Sequence, residues 1–203
     1  GATVKIYDGA TLLGSTTANA GGAWSFTPAT ALADGAHSFT ATATNAAGTV
    51  SPPTAAYSVT IDTQTPNAPV IGGAADDVGA SQGALTNGGK TDDQTPSLSG
   101  TGEIGSTIKV YDGANLIGST VVGAGGTWSF TPATPLGEGA HSLTATATDL
   151  AGNTGSASTP FVITIDLTPP SLPAITSVLD DVGVVQGGLA NGATTDDAKP
   201  TLT

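Results

Sequence analysis

The chain has 203 residues, including 29 glycines and 13 prolines but no cysteine, so disulfides cannot stabilise its fold. Sixteen acidic residues against four lysines give a formal net charge of −12. This balance argues against nucleic acid and anionic membrane surfaces as partners, because no basic face can neutralise phosphates. No apolar segment approaches the roughly 18 residues of a membrane span, so we expect no direct membrane insertion.

The first element of the chain, an alternating strand pattern at residues 4–9, recurs 104 residues later at residues 108–113. The Trp-Ser-Phe-Thr-Pro motif at 24–28 recurs at 128–132, and further copies follow with the same offset. Self-similarity at a fixed period is typical of tandem repeats. The constant offset indicates a recent duplication and a repeat unit of fixed length.

Two proline-rich segments, 65–69 and 168–173, read as short stiff linkers, since proline fixes φ and removes a backbone donor. The end fragments are complementary, because 168–203 followed by 1–66 nearly reconstitutes a whole repeat. We favour a window on a longer array, with neighbouring repeats as partners, over head-to-tail completion between copies of the chain. The predicted units are 1–66 (the C-terminal part of a repeat), 67–167 (a complete repeat) and 168–203 (the N-terminal part of the next).

Alternating apolar and polar residues predict seven short strands in the complete repeat. Such a number is typical of an immunoglobulin-like sandwich, so the predicted fold is all-β: tandem seven-stranded Greek-key sandwiches in an elongated array. The predicted strands are 69–74, 97–102, 106–112, 115–121, 127–132, 140–148 and 158–166. The predicted core is Ile108, Val110, Trp128, Phe130, Leu143, Phe161, Ile163 and Ile165.

The connection between the first two of these strands, residues 75–96, is unusually long. Structureless loops of more than about 12 to 15 residues are usually functional or disordered. The repeat keeps the length of this connection and all four of its aspartates, which disorder alone would not require. We therefore expect it to be functional.

Ten of the sixteen acidic residues lie in the two regions that join successive repeats. Carboxylates held close together repel each other, so their clustering indicates a bound cation. Hard oxygen ligands without nearby histidine or cysteine favour Ca²⁺ over transition metals. The predicted ligands of the two joints are Asp62, Asp76, Asp77, Asp92, Asp93, Asp166, Asp180, Asp181, Asp196 and Asp197.

The order of the strands places these ligands. The 75–96 connection and the end of the last strand lie at one end of a sandwich, where Asp76, Asp77, Asp92, Asp93 and Asp166 would meet the next repeat. The opposite end of the complete repeat carries Glu103, Asp149 and Asn153, and these three complete the predicted ligand set by facing Asp62 of the preceding repeat.

Other polar residues have simpler interpretations. Asp8 and Asp112 precede glycines in tight turns and are expected to bond local backbone. His37 and His141 are expected to be surface or hinge residues preceding a strand. The sequence has no catalytic triad, no phosphate-binding glycine loop before a helix and no arginine, so we expect no enzyme activity.

Several motifs in combination resemble the bacterial Ig-like repeats of giant type I-secreted, RTX-type adhesins and biofilm-associated proteins. They are Val-Tyr-Asp-Gly at 110–113, Gly-Thr-Trp-Ser-Phe-Thr-Pro at 126–132, Ala-Thr-Asp-Leu-Ala-Gly-Asn at 147–153 and Ile-Asp-Leu-Thr-Pro-Pro at 165–170. The resemblance implies a secreted protein on a bacterial cell surface. It further implies a spacer that holds a distal binding domain away from the cell, with calcium rigidifying its linkers.

Two other functions remain open at this point. The repeats could bind glycans or host proteins through exposed loops, acting together by avidity. Alternatively, the partial end repeats could complete one another by strand donation and form an extracellular fibre.

Overall fold

A computed structural model describes residues 1–184 and 186–203. The described residues form strands and connecting segments only, and they hold no helix that could span a membrane. They divide into two compact units, Gly1–Asp166 and Leu167–Thr203, which are described separately.

The first repeat contributes one antiparallel sheet of four strands, in the order β2-β1-β3-β4. Gly9 lies in the turn that joins the first two strands and has φ of +54°, a conformation that favours glycine. Residues 24–28 carry the Trp-Ser-Phe-Thr-Pro motif but form no strand. The strands are β1 (Thr3–Asp8), β2 (Thr11–Thr17), β3 (Gly35–Thr44) and β4 (Tyr57–Ile61).

The complete repeat is a sandwich of two sheets, whose orders are β11-β8-β5-β6 and β10-β9-β12-β13-β7. All pairs within it are antiparallel except β7 with β13, which is parallel. Its strands are β5 (Val70–Asp76), β6 (Gly83–Leu85), β7 (Gly89–Thr91), β8 (Ser97–Thr101), β9 (Thr107–Asp112), β10 (Asn115–Val121), β11 (Thr127–Phe130), β12 (Gly139–Thr148) and β13 (Phe161–Ile165).

Each of the seven predicted strands has a counterpart, and the predicted all-β, immunoglobulin-like fold class is confirmed. The interpretation of 75–96 as a connection without strands is wrong. After the β5–β6 hairpin, β7 crosses to the other sheet and pairs with β13. Asn87 supports the crossing, because its Oδ1 accepts a hydrogen bond of 2.6 Å from the amide of Val162.

The core of the complete repeat lies between the two sheets. Seven of the eight predicted core residues are buried, and Phe130 is partly buried against them. The indole of Trp128 donates a 3.1 Å hydrogen bond to the Thr101 carbonyl. Gly100 allows this placement, because an added Cβ there would lie 2.5 Å from the indole ring.

The second unit, Leu167–Thr203, corresponds at the 104-residue offset to residues 63–99. It forms a three-stranded sheet in the order β15-β14-β16. By the 104-residue offset these strands correspond to β5, β6 and β8 of the complete repeat. They are β14 (Val178–Asp180), β15 (Gly187–Gly188) and β16 (Thr201–Leu202).

Candidate functional site

An acidic loop, defined as residues 76–93, connects the end of β5 with the region after β7. Asp76 and Asp93 are both buried in it. Thr91 joins them: its Oγ1 donates to Asp76 Oδ2 at 2.6 Å and accepts from the Asp93 amide at 3.0 Å. Asp76 Oδ1 also accepts from the Val78 amide at 3.0 Å. The two buried aspartates therefore belong to one hydrogen-bonded network.

Asp93 has one carboxylate oxygen without a partner. Its Oδ1 accepts from the Thr95 amide at 2.7 Å, whereas its Oδ2 is buried and makes no hydrogen bond. The residue is only 1% exposed. A buried acceptor without a partner loses its hydration without compensation, so such atoms are rare and often mark an ion or water site.

The remaining predicted ligands of this joint lie around the network. Asp92 is exposed, and its carboxylate covers Gly79, where an added Cβ would lie 2.1 Å from Asp92 Oδ2. The Asp166 amide donates to the Thr91 carbonyl at 2.9 Å, and Lys90 Nζ lies 3.5 Å from Asp166 Oδ2. Asp77 is exposed.

The described residues of the loop's copy at 180–197 repeat the threonine that joins two aspartates, but here the Oδ2 of the second aspartate has a partner. Thr195 Oγ1 donates to Asp180 Oδ2 at 2.6 Å and accepts from the Asp197 amide at 2.9 Å. The Asp181 amide lies 3.5 Å from Asp197 Oδ2, and Asp196 covers Gly183. The described part of this unit forms three short strands, so the network forms from local contacts.

No group of three or more carboxylate or imidazole side chains in residues 1–184 and 186–203 is arranged to hold a metal ion. The five acids predicted for one joint therefore do not form a metal cage by themselves. Any ion held there would need additional oxygen ligands from backbone or water, which Ca²⁺ commonly uses. The ligand assignment stays a prediction.

The second candidate feature is the joint between the first two repeats, formed by the linker 62–66 and the loop 149–155. Asn153 Nδ2 donates to the Asp62 carbonyl at 3.0 Å and to Asp149 Oδ2 at 2.9 Å. Asp149 Oδ1 accepts from the Gly152 and Asn153 amides. The Asn153 side chain, followed by these amides, holds the pKa of Asp149 below its ordinary value. Glu103 is exposed, and its carbonyl accepts from Ser106.

Two residues that the sequence did not single out fix this linker. Asp34 accepts from the Thr63 amide at 3.0 Å and from Gln64 Nε2 at 2.9 Å, and the Gln64 bond is the largest cause of the lowered pKa of Asp34. Gly155 lies against Pro66: an added Cβ would come within 2.0 Å of the Pro66 carbonyl oxygen. An acidic residue recurs 104 residues after Asp34, as Glu138. This recurrence is the sequence feature that could have identified Asp34.

The interpretation of Asp8 and Asp112 as local turn residues is wrong. Each carboxylate bonds a histidine 29 residues away: the Asp112 Oδ2 to His141 Nδ1 distance is 2.7 Å, and the Asp8 to His37 distance is 2.6 Å. Both histidines lie within strands β3 and β12, not before them. Asp112 also accepts from the Ser142 amide, so this pair joins two strands of one sheet.

Each histidine bonds acceptors through both ring nitrogens, which favours the doubly protonated imidazolium. His141 Nε2 lies 2.8 Å from the Gly137 carbonyl oxygen. Desolvation lowers the pKa of His141, but the bonds to Asp112 and Gly137 outweigh it, so the pKa is raised from 6.5. The pKa of His37 is raised mainly by its bond to Asp8.

Stability should therefore decrease as the pH rises through the raised pKa of His141. A histidine whose folded pKa exceeds its unfolded value stabilises fully below the unfolded pKa of 6.5 and loses that contribution above the folded one. Denaturant unfolding at about pH 5.5 and about pH 8.5 brackets this range. The double variant His37→Gln/His141→Gln should lose this part of the pH dependence. If the free energy of unfolding of the variant differed between the two pH values as much as that of the parent chain, the prediction would be contradicted.

The two facing sheets of β5–β13 define an immunoglobulin-like β-sandwich, an all-β class of domain. The chain belongs to the family described as bacterial Ig-like domain, whose model matches residues 1–63 and 66–167. None of the curated proteins matches the chain.

Similar solved structures include fibronectin(III)-like modules of Clostridium thermocellum CbhA, with 17% identity, 85% of this chain and 83% of that chain covered, and a TM-score of 0.45. A biofilm-associated protein (BSP domain) is 23% identical over 83% of this chain, with a TM-score of 0.36. A tetra-tandem repeat in the extending region of a large adhesion protein is 24% identical over 88%, with a TM-score of 0.36. The chain spans 25% and 44% of the lengths of these last two.

Proposed function

We propose that this chain is part of the extender region of a large bacterial surface adhesin. In this role it is a non-catalytic spacer, exported by type I secretion, that holds a distal binding domain away from the cell for adhesion or biofilm formation. Membership of the bacterial Ig-like family and the motif resemblance support this proposal. The observation that carries it is the linker 62–66, which is bonded to the repeat on each side.

A spacer transmits its length only if its joints resist bending. On the first repeat, Asp34 bonds both Thr63 and Gln64. On the second repeat, Asn153 bonds the Asp62 carbonyl, and Gly155 packs against buried Pro66. Proline also fixes its own φ. The linker is therefore held at both ends, which is the property that a spacer requires and a flexible tether lacks.

Calcium at the acidic loops is the second part of the proposal. The donors are hard carboxylate oxygens, and the buried, unpartnered Oδ2 of Asp93 is available to an ion. Asp93 would contribute this oxygen to the ion, and backbone and water oxygens would supply most of the remaining coordination. A bound ion would offset the repulsion among these carboxylates and stabilise the loop, which contacts the last strand's end at Asp166.

Replacing Gly155 with alanine tests the joint. The added Cβ would lie 2.0 Å from the Pro66 carbonyl oxygen, so the linker must move away. We expect faster proteolysis between residues 62 and 69 and a broader distribution of distances between labels placed in the two repeats. Gly137→Ala is the matched control, because a Cβ at Gly137 meets no atom within 4 Å.

The Gly137→Ala variant should behave like the parent chain in both measurements. If Gly155→Ala changed neither the cleavage rate nor the distance distribution, the linker would not be held by this contact. The fixed-joint argument for a spacer would then fail.

A further inference from the structure

The residue that binds the linker between the first two repeats follows a peptide group that is bonded to a histidine. Asp34 accepts hydrogen bonds from Thr63 and Gln64 of the linker. The carbonyl that precedes Asp34 belongs to Ala33, and its oxygen lies 2.8 Å from His37 Nε2. Because a peptide bond is planar, a bond that fixes this carbonyl also fixes the backbone nitrogen of Asp34. His37 therefore orients the residue that binds the linker.

Ala33 and Asp34 have little packing of their own. Both are exposed, and they lie in an irregular segment just before β3. His37, in contrast, is fixed on β3 by the pairing of that strand with β4. Its Nδ1 also lies 2.6 Å from Asp8 Oδ2 at the end of β1. The imidazole thus connects an exposed segment to the sheet.

The complete repeat has the same histidine bridge. His141 Nδ1 lies 2.7 Å from Asp112 Oδ2, and its Nε2 lies 2.8 Å from the Gly137 carbonyl oxygen. The peptide of Gly137 leads directly into Glu138, the acidic residue at the position of Asp34. The bridge is therefore a feature of the repeat itself, because it also forms where both sheets of the sandwich are present.

The two bonds of the bridge together require a protonated histidine. Each ring nitrogen of His37 faces an acceptor, either the Asp8 carboxylate or the Ala33 carbonyl. A neutral imidazole has only one N–H and presents a lone pair at its other nitrogen. The N–H stays toward the carboxylate, because a charged acceptor forms the stronger bond. Deprotonation therefore breaks the bond that orients Asp34.

His37 is the side chain of this region that titrates near neutral pH. The charged side chains nearby are Asp8 on β1, Asp34 before β3 and Asp62 after β4, and the β4 residue paired with His37 is Val59. Hydrogen bonds lower the pKa of both Asp8 and Asp34 from 3.8, so these two carboxyls stay ionised above about pH 5. The bond to Asp8, followed by the bond to the carbonyl, raises the pKa of His37 from 6.5.

We propose that His37 is a positioning residue for the joint between the repeats, and that its protonation controls how firmly the linker 62–66 is held. In the imidazolium form, Asp34 is oriented toward the linker and the joint has a narrow range of angles. In the neutral form, the segment before β3 is released and the joint bends more freely. His37 can control the joint only if the linker is fixed, as the proposed spacer requires, so the proposal rests on that function but not on calcium.

Distance distributions between spin labels in the two repeats, measured at about pH 5.5 and about pH 8.5, test the proposal. The chain has no cysteine, so labels can be attached through Ala20→Cys and Ala124→Cys, at exposed positions one repeat apart. We expect a narrow distribution at the lower pH and a broad one at the higher pH. In the His141→Gln background His37 is the single histidine, so its imidazole proton resonance can be followed. The distribution should change with the same midpoint as this resonance.

His37→Gln should lose the pH response and give the broad distribution at both pH values. His141→Gln is the matched control, since it removes the equivalent bridge of the second repeat and should keep the full response of this joint. Asp34→Ala should also give the broad distribution at both pH values. Adding His37→Gln to Asp34→Ala should broaden it no further, because His37 acts through Asp34. Amide exchange of β1 and β3 shows whether the first sheet stays folded in each variant, and the titration of the parent chain requires no change at His37.

A distribution that is equally narrow at both pH values would overturn the control by His37 while leaving the fixed joint of the spacer intact. A pH response that persists in His37→Gln, or further broadening when His37→Gln is added to Asp34→Ala, would also overturn it. A distribution that is broad at both pH values in the parent chain would contradict the fixed joint itself, and with it both proposals.

Discussion

Replacing Trp128 with alanine is expected to lower the free energy of unfolding of the complete repeat by about 3–5 kcal/mol, the usual cost of truncating a buried aromatic side chain. Trp128 is the largest residue in this core, and its loss also leaves the Thr101 carbonyl without its indole donor. Hydrogen exchange of peptides from residues 67–166, followed through denaturant, measures this repeat separately from the first.

The chain contains its own control for this prediction. Trp24→Ala changes the same residue in the same Trp-Ser-Phe-Thr-Pro motif, but Trp24 is half exposed. Removing the Trp24 side chain should lower the free energy of unfolding by only a small part of the loss expected for Trp128→Ala. Equal losses from the two variants would mean that Trp24 is as deeply buried in solution as Trp128.

Calcium is expected to stabilise the complete repeat, and Asp93→Asn should remove most of that gain. A ligand at 100 times its Kd adds about 2.7 kcal/mol to the free energy of unfolding of the state that binds it. Asn would still accept the Thr95 bond through its amide oxygen, but it would replace the buried, unpartnered Oδ2 with a neutral group. Unfolding of 67–166 in calcium and in chelator measures the difference.

Asp197→Asn is the matched control, since Asp197 occupies the same position in the 180–197 copy of the loop. This variant should keep the full calcium response of residues 67–166. If Asp93→Asn responded to calcium as strongly as the parent chain, Asp93 would not be a ligand.

Strand positions in the complete repeat could be predicted because alternation there is strong and turns are marked by glycine. The short strands β6 and β7 could not, because each has three residues in a polar, glycine-rich segment without alternation. Their pairing partners β5 and β13 decide their structure, and β13 lies more than 70 residues beyond β7 in the chain.

The two Trp-Ser-Phe motifs show the same limit more directly. At 128–130 the motif lies in β11 and pairs with β8, whereas at 24–26 it forms no strand. The local sequence is identical, so the difference comes from the pairing strand, which the first repeat lacks within residues 1–66. The intrinsic strand propensity of a segment predicts its structure poorly when strand formation depends on a pairing strand.

The candidate site was predicted unevenly for a similar reason. Acidic clustering identified Asp76 and Asp93, because both copies repeat it. The Asp-Gly pattern suggested local turns for Asp8 and Asp112, yet their partners are histidines one strand away. Nothing in the sequence identified Gly155, because the repeat has Ser51 at the equivalent position. Glycine is needed at 155 because the backbone of Pro66 lies against it.

The central claim, a spacer whose joints are stiffened by calcium, is tested most directly by small-angle scattering of the full chain in calcium and in chelator. The account predicts a larger and better-defined maximum dimension in calcium, which falls and broadens when the ion is removed. The double variant Asp93→Asn/Asp197→Asn should give the chelator profile in both solutions. Superimposable profiles of the parent chain with and without calcium would contradict the account.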